Sequence, residues 1–206
     1  MSTLAGMVSR IADDLNRSDL SSTQIPLAIN RAIIAYAKEP FWFKETSATF
    51  STVSGQKAYT TTDTSITDIE RINLVEVTQS GSRYKVDKKN IDWIEHRNPN
   101  NATGVPSEYA WYGNKFYFCL VPNAVYTITV WYTKTYPVLT GTNTNDWLTY
   151  AEDLIEARAR WWIAKRILKN GQLADEAKIE EMEALEILRS QNQDSESTET
   201  IQPTDF

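Results

Sequence analysis

The periodicity of apolar residues changes twice along this chain, and that change constrains the fold more than any single motif. Helical spacing marks both ends, first at residues 3–38 and again from residue 149 to 189. Between them the pattern alternates, most clearly over 125–133, where Tyr126, Ile128, Val130 and Tyr132 fall on one face. The sequence therefore predicts an α+β protein: a helical-bundle base interrupted by an inserted antiparallel β-sheet module.

Turn and breaker residues divide this pattern into four segments. Pro40 ends the second helix, since the residue before a proline avoids helical dihedrals, and the chain after 189 is polar and acidic. We predict N-terminal helices over 1–40, a β-rich module over 41–136, a C-terminal antiparallel helix pair over 137–189 and an extended tail over 190–206.

Short local motifs predict where elements begin and end. Ser21 with Gln24, and Thr149 with Glu152, have the spacing of capping boxes at helix starts. Asn170-Gly171 predicts a C-cap at Gly171 and a tight turn between two long helices.

Within the β-rich module, glycine-containing turns predict the strand pairing. Ser80-Gly81-Ser82 and Gly113-Asn114 have the composition of tight hairpin turns. We also predict a hairpin through Ser54-Gly55, which joins 48–53 to 56–59. The strand at 125–133 is predicted to extend the second hairpin into a meander.

Composition excludes several kinds of chemistry. The 206 residues include one cysteine, Cys119, and one histidine, His96, so we expect no disulfide within the chain and no metal site. Cys119 is predicted to be a buried, inert thiol, and His96 a solvated loop residue. No glycine-rich phosphate loop is present, and no cofactor is expected.

Charge and hydropathy limit the cellular context. A net charge of -6 is opposite to the basic face of a dedicated DNA-binding protein. No segment is long and apolar enough for a membrane span, and Asp13 and Asp14 interrupt any signal-peptide pattern. We expect a soluble protein that is made in the cytoplasm.

The first long C-terminal helix carries an unusual mixture of cations and indoles, at Arg158, Trp161, Trp162 and Lys165, while the second is acidic. Two interpretations fit. The cations stack on the indole rings within the chain, with their stems lying along apolar surface, or this face meets a neighbouring subunit.

The order of these pieces resembles the head-to-tail adaptor proteins of tailed phages. The resemblance covers about residues 20–190 and rests on sequence order rather than on one motif. The pieces are Asn30-Arg31-Ala32, Phe41-Trp42-Phe43, Thr49-Phe50, Val53-Ser54-Gly55-Gln56, Tyr59, Pro106-Ser107-Glu108-Tyr109, the Gly113-Asn114 turn, Phe116-Tyr117-Phe118, Pro122, residues 126–132, Trp147-Leu148 and the final helix pair.

The resemblance implies a structural virion protein with no catalytic residues. It implies a homo-oligomeric ring, usually twelve-fold, that binds beneath the portal at the head–tail junction. The ring would extend the DNA channel and dock tail nozzle or tail tube proteins, and double-stranded DNA would pass without specific binding because an acidic channel repels phosphates. Helical segments would line and join the ring, and the tail would dock on a neighbour through Ile201, Pro203 and Phe206.

Two other functions fit the residues alone. A tail-associated glycosidase that cleaves peptidoglycan needs two carboxylates across a cleft, and 27 Asp and Glu always supply some pair. A carbohydrate- or receptor-binding module could stack sugars on Trp111, Tyr112 and Trp131, although packing within the sheet explains such aromatics equally well.

Overall fold

The structure is a computed structural model that describes residues 2–196, with side chains described through residue 193. Its contacts divide the chain into two compact units. A helical unit combines the described residues through Lys44 with those from Tyr136 onward, and a β-rich unit comprises Glu45–Thr135. Because helices and antiparallel sheets segregate in this way, the predicted α+β class is confirmed.

The described residues form seven α-helices, three short helical segments and ten strands. The helices are α1 (Leu4–Asp14), α2 (Gln24–Tyr36), α3 (Thr61–Thr64), α4 (Ile91–Arg97), α5 (Asp146–Tyr150), α6 (Glu152–Ile163) and α7 (Gly171–Glu196). Two 3-10 turns lie at Ser18–Leu20 and Trp42–Lys44, and α6 continues as a π-helix over Ala164–Leu168.

The strands are β1 (Glu45–Ser51), β2 (Ala58–Thr60), β3 (Ile69–Gln79), β4 (Ser82–Lys85), β5 (Asp87–Lys88), β6 (Thr103–Gly104), β7 (Glu108–Tyr112), β8 (Lys115–Phe118), β9 (Val121–Pro122) and β10 (Thr127–Lys134). One sheet has the order β1-β10-β3-β4 and another the order β2-β8-β7-β5, while β6 and β9 form a short parallel pair. All pairs within the two larger sheets are antiparallel except β5 with β7.

The helical unit is held together by one apolar core. Helices α1, α2 and α6 bury the faces that their periodicity predicts, with Met7, Ile11, Ile25, Ile29, Ile155 and Ile163 fully buried. Full burial of one such side chain contributes about 1.5–3 kcal/mol, against about 0–1 kcal/mol for an exposed ion pair. Packing therefore determines the stability of this unit.

Polar and aromatic anchors tie the two sequence segments of the helical unit to each other. Asn30 on α2 donates to the Leu139 carbonyl at 3.1 Å and accepts from the Leu139 N–H at 2.8 Å. Phe41 and Phe43 meet the edge of Trp147 at centroid distances of 5.7 and 5.1 Å. These residues belong to the pieces that carry the family resemblance, and the structure gives them a packing role.

The β-rich unit is a pair of packed sheets rather than a single sheet. Its core takes side chains from both, among them Phe50 and Ile128 from the first sheet and Tyr59 and Phe116 from the second. The predicted apolar face of β10 is confirmed, since Ile128, Val130 and Tyr132 are buried.

Two predicted hairpins are present and one is wrong. β3 pairs with β4 across Ser80-Gly81, and β7 with β8 across Gly113-Asn114, where both turn residues have positive φ. The predicted hairpin through Ser54-Gly55 does not form, because β1 pairs with β10 and β2 with β8. The chain crosses between sheets there, with the Gly55 N–H donating to the Pro122 carbonyl at 2.8 Å.

The predicted meander is also wrong, and for the same reason. β10 leaves the β7–β8 hairpin and inserts between β1 and β3 in the other sheet. Alternation predicts that a strand has one buried face, but it does not identify the strand beside it.

Neither predicted capping box forms. The Ser21 hydroxyl donates back to the Ser18 carbonyl at 2.6 Å, and α2 starts after Thr23 without a side-chain cap. Thr149 lies inside α5, whose N-cap is Asn145, with Oδ1 accepting from the Leu148 N–H at 3.2 Å.

In the turn between the long helices, the left-handed residue lies two positions earlier than predicted. The left-handed residue is Lys169, with a φ of 52°, and not Gly171. Asn170 caps the next helix, its Oδ1 accepting from the Leu173 N–H at 3.2 Å, and Gly171 is the first residue of α7.

Helix α7 is longer than predicted. It runs to Glu196, so residues 190–196 are helical and not part of an extended tail. A side-chain contact supports the added turns, since Asn192 Oδ1 accepts from the Trp42 N–H at 2.8 Å. Ile201, Pro203 and Phe206 lie outside the described residues.

Candidate subunit-contact surface

Three of the predicted interface residues converge on one indole ring. Trp161 on α6 is half-buried, with the Arg158 guanidinium carbon 4.3 Å and Lys165 Nζ 4.9 Å from its ring centroid. Lys178 Nζ on α7 lies 6.0 Å away. Helical spacing explains the grouping, since Arg158 and Lys165 are three and four residues from Trp161.

A buried carboxylate lies beside this group. The Glu181 side chain is 2% exposed, and its Oε1 accepts from Arg158 Nη1 at 3.2 Å. Lys178 Nζ is 3.1 Å from the same oxygen, and the Tyr36 hydroxyl donates to it. Burial, reinforced by the carboxylate, raises the pKa of Tyr36 above its usual range, so Tyr36 is a hydrogen-bond donor at neutral pH.

The arrangement decides part of the question that the sequence left open. Arg158 is paired with Glu181 and stacked on Trp161 within its own chain, as the first interpretation predicts. Sequence reasoning missed Tyr36 and Glu181, because nothing in an acidic helix distinguishes the one glutamate that faces inward. That this face also meets a neighbouring subunit stays a prediction.

Trp162 lies in a different environment from Trp161. It packs against the helical core, and the Arg31 guanidinium on α2 lies 5.0 Å above its ring. Adjacent residues on a helix point about 100° apart, so the two indoles cannot share one face. The four predicted residues on this helix therefore form two sites.

Two outer helix faces carry large exposed apolar side chains that were not predicted from the sequence to form a surface. On α2 these are Leu27 and Ile34, and on α7 they are Ile179, Met182 and Ile187, all exposed. Their spacing gives a detectable signal, because they lie opposite the buried stripe of each helix.

In the helical unit, two neighbouring carboxylates share one arginine partner. Glu152 and Glu156 both bind the Arg10 guanidinium, at 3.2 Å for Glu156 Oε2. Burial raises the pKa of Glu156 although Arg10 lowers it. A carboxyl group held on an arginine between α1 and α6 serves packing of the helices.

The aromatic residues considered for sugar binding do not form a shared platform. Trp111 packs on Phe116 at a centroid distance of 4.6 Å, and Tyr112 points away from it on the same strand. Trp131 belongs to the other sheet, where its Nε1 donates to Glu76 at 3.0 Å.

The residues considered for metal or thiol chemistry have structural surroundings. Within residues 2–196, no group of three His, Cys, Asp or Glu side chains is placed to hold a metal ion. Cys119 is buried, and burial raises the pKa of its thiol, as expected of an inert cysteine. His96 is exposed but lies on α4, not in a loop. Across the described chain, every helix is too short or too polar for a bilayer span.

Fold and surface together define an α+β protein whose candidate site is a pair of outer helix faces rather than a pocket. A family model described as SU10 adaptor protein matches residues 2–203, nearly the whole chain, and the chain belongs to this family of phage head-to-tail adaptors. No curated protein matches the chain significantly. The family is structural, so membership makes the chain an adaptor component of a phage particle.

Proposed function

We propose that the chain forms the head-to-tail adaptor ring of its phage. The ring binds beneath the portal, extends the DNA channel and docks tail nozzle or tail tube proteins, so that the packaged genome is retained and later ejected. The observation that carries the proposal is the family match over residues 2–203. Both compact units fall inside that match.

The helical unit suits a ring subunit. A single apolar core joins sequence segments more than 90 residues apart, so the unit resists deformation when neighbours bind. Its outer faces on α2 and α7 keep apolar side chains exposed, as assembly surfaces do.

The charge of the chain suits a DNA channel. At a net charge of -6, repeated around a ring, the subunits would repel the phosphate backbone rather than bind it. Genome transit needs such a surface, because tight binding at each step would slow ejection.

The first experiment measures assembly. Native mass spectrometry of the purified chain, alone and mixed with the portal protein of the same phage, should show a closed oligomer that binds portal. A ring that appears only with portal fits assembly coupled to binding. A chain that stays monomeric both alone and with portal protein in excess contradicts the proposal.

The second experiment concerns the segment after α7. We propose that Ile201, Pro203 and Phe206 anchor this segment on the portal. Because Asn192 binds Trp42 within the helical unit, the truncation should begin at residue 197 and not at 190. Removal of residues 197–206 should abolish portal binding and leave the thermal unfolding midpoint unchanged.

Matched single substitutions refine that test. Ile201→Ala and Phe206→Ala should each weaken portal binding at least tenfold, whereas Gln202→Ala and Thr204→Ala should not. Undiminished binding by the truncated chain would show that the portal contact lies elsewhere.

A further inference from the structure

Two outer stripes on the helical unit have the same apolar character and opposite charge. The basic stripe on α2 consists of Leu27, Arg31 and Ile34. The acidic stripe on α7 consists of Ile179, Met182, Glu183, Glu186 and Ile187. Each stripe follows one side of its helix, because Leu27, Arg31 and Ile34 are spaced by four and three residues, as are Ile179, Glu183 and Glu186. Met182 and Ile187 flank the row on α7, one on each side.

The apolar side chains of both stripes are largely exposed to solvent. Leu27 is 40% exposed and Ile34 65%, while Ile179, Met182 and Ile187 are between 58% and 61% exposed. Single exposed apolar residues need no explanation. Clusters on two helices of one compact unit indicate surfaces that are covered in an assembly.

The charged members of the stripes are not satisfied within the described chain. Among residues 2–193, Arg31 has no carboxylate partner and only stacks on Trp162, and Glu183 and Glu186 form no ion pair or side-chain hydrogen bond. Their neighbours differ: Lys178 and Glu180 on α7 bind Glu181 and Arg160, and Arg189 binds Glu39. Arg31, Glu183 and Glu186 thus lie within the apolar stripes without an ion-pair partner among the described residues.

Charge decides how two copies can meet. Contact between two acidic stripes would place Glu183 and Glu186 of one copy beside the same two glutamates of the other copy. Contact between two basic stripes would place Arg31 of one copy beside Arg31 of the other. Like charges brought together at an interface oppose binding, and opposite charges favour it. Only the unlike pair, basic against acidic, satisfies both stripes.

We propose that the basic stripe on α2 of one copy binds the acidic stripe on α7 of the next copy. This inference rests on the proposed ring and names the surfaces that close it. Such a contact is heterologous, with a different face used on each side, and heterologous contacts build rings when the rotation closes. Arg31 then lies among Glu183 and Glu186 of the neighbour, and Ile34 packs among Ile179, Met182 and Ile187.

Cross-linking between different single-cysteine variants tests the contact directly. In a Cys119→Ala background, Ile34→Cys is mixed with Ile179→Cys, Met182→Cys or Ile187→Cys, with portal protein added if assembly requires it, and treated with a short bismaleimide. We expect a covalent dimer in at least one mixture and in no variant alone. Val138→Cys, an exposed site of the same helical unit outside both stripes, should give no dimer with Ile34→Cys.

Charge reversal supplies an independent readout. Arg31→Glu, and separately the pair Glu183→Arg with Glu186→Arg, should weaken self-association at least tenfold, and a mixture of the two variants should recover it. Arg166→Glu makes the same charge change at an exposed site outside the stripes and should leave association unchanged. Circular dichroism of each variant establishes that it is folded before association is measured.

The outcomes separate this inference from the proposed function. If oligomers form but no α2–α7 cross-link appears and both reversals are silent, the assignment of these faces is overturned and the ring stands. A covalent dimer from one variant alone indicates a like-to-like contact and also overturns it. If no oligomer forms with or without portal, both are overturned.

Discussion

Arg158 donates from Nη1 to Glu181 Oε1 at 3.2 Å, which places an ion pair at the junction of α6, α7 and α2. The carboxylate is the more deeply buried partner, at 2% exposed against 27% for the arginine. Tyr36 donates to the same oxygen, and the Trp161 ring shields the other side of the guanidinium. The group therefore fixes the mutual placement of three helices through one buried anion.

Removal of the anion should be costly. Glu181→Ala leaves Arg158 and Tyr36 without their shared acceptor, and we expect a loss of about 2–4 kcal/mol in the free energy of unfolding. Glu181→Gln keeps the shape and one acceptor and should cost about 1 kcal/mol. Urea unfolding followed by circular dichroism measures both.

Glu183 supplies the matched control for that series. It lies two residues away on α7 and is exposed, so Glu183→Gln should change the free energy of unfolding by less than about 0.5 kcal/mol. Equal effects at residues 181 and 183 would contradict a structural role for the buried carboxylate.

Asn30 should be the most sensitive polar residue of α2. Its amide both donates to and accepts from the backbone of Leu139, and it donates to the Pro26 carbonyl at 3.0 Å. Asn30→Ala removes these bonds and leaves a partly buried carbonyl and N–H unpaired, at a cost of about 2–3 kcal/mol.

Thermal unfolding of Asn30→Ala, beside Asn100→Ala in an exposed turn, measures this effect. The second change should be nearly neutral. A near-neutral Asn30→Ala would mean that the segment around Leu139 is held by its apolar contacts alone.

The turn between α6 and α7 makes an unusual prediction because its left-handed residue carries a side chain. A residue other than glycine at φ near 52° costs about 1 kcal/mol, so Lys169→Gly should stabilise the chain by about that amount. Gly171→Ala should also stabilise, by about 0.4–1 kcal/mol, since nothing lies within 4 Å of the added methyl and the backbone is helical.

These two variants separate the observed turn from the one expected from sequence. If Gly171 were the C-cap, Gly171→Ala would destabilise and Lys169→Gly would not help. Differential scanning calorimetry of the two single variants and the double variant tests this.

The sequence predicted features that depend on local chemistry well. It predicted poorly the strand pairings, which depend on residues distant in the sequence. Helix faces followed from apolar spacing, and the Gly113-Asn114 turn followed from residues that tolerate positive φ. The pairing of β1 with β10 could not be predicted, because their facing ends at Ser51 and Thr127 are 76 positions apart in the sequence and alternation is the same for any partner. The polar composition of residues 190–196 predicted an extended tail, but these residues are helical, and the hydrogen bond between Trp42 and Asn192 supports the helix there.

The candidate site shows the same division. The Arg158–Trp161–Lys165 grouping followed from helical spacing. Its buried partner Glu181 did not, because α7 has glutamates at 180, 181 and 183 and only tertiary packing selects one of them.

Alkaline pH should unfold the β-rich unit through its buried tyrosines. Burial raises the pKa of Tyr109 to about 12, and burial with a hydrogen bond to Asp68 raises that of Tyr132 to about 12, from an ordinary value near 10. A raised pKa means that the folded state holds the proton more tightly than the unfolded state. The stability that these groups contribute is thus fully present below pH 10 and is lost as pH rises toward 12.

Tyrosinate absorbance and circular dichroism, recorded together from pH 9 to about 12.5, measure this transition. We expect the last tyrosines to ionise together with loss of β-sheet signal. Tyr109→Phe removes one of the two groups and should shift the alkaline unfolding midpoint to higher pH, whereas Tyr112→Phe, at an exposed site of the same strand, should leave it unchanged. If Tyr109→Phe leaves the midpoint in place, or if all tyrosines ionise before the sheet signal is lost, burial of Tyr109 does not control alkaline unfolding.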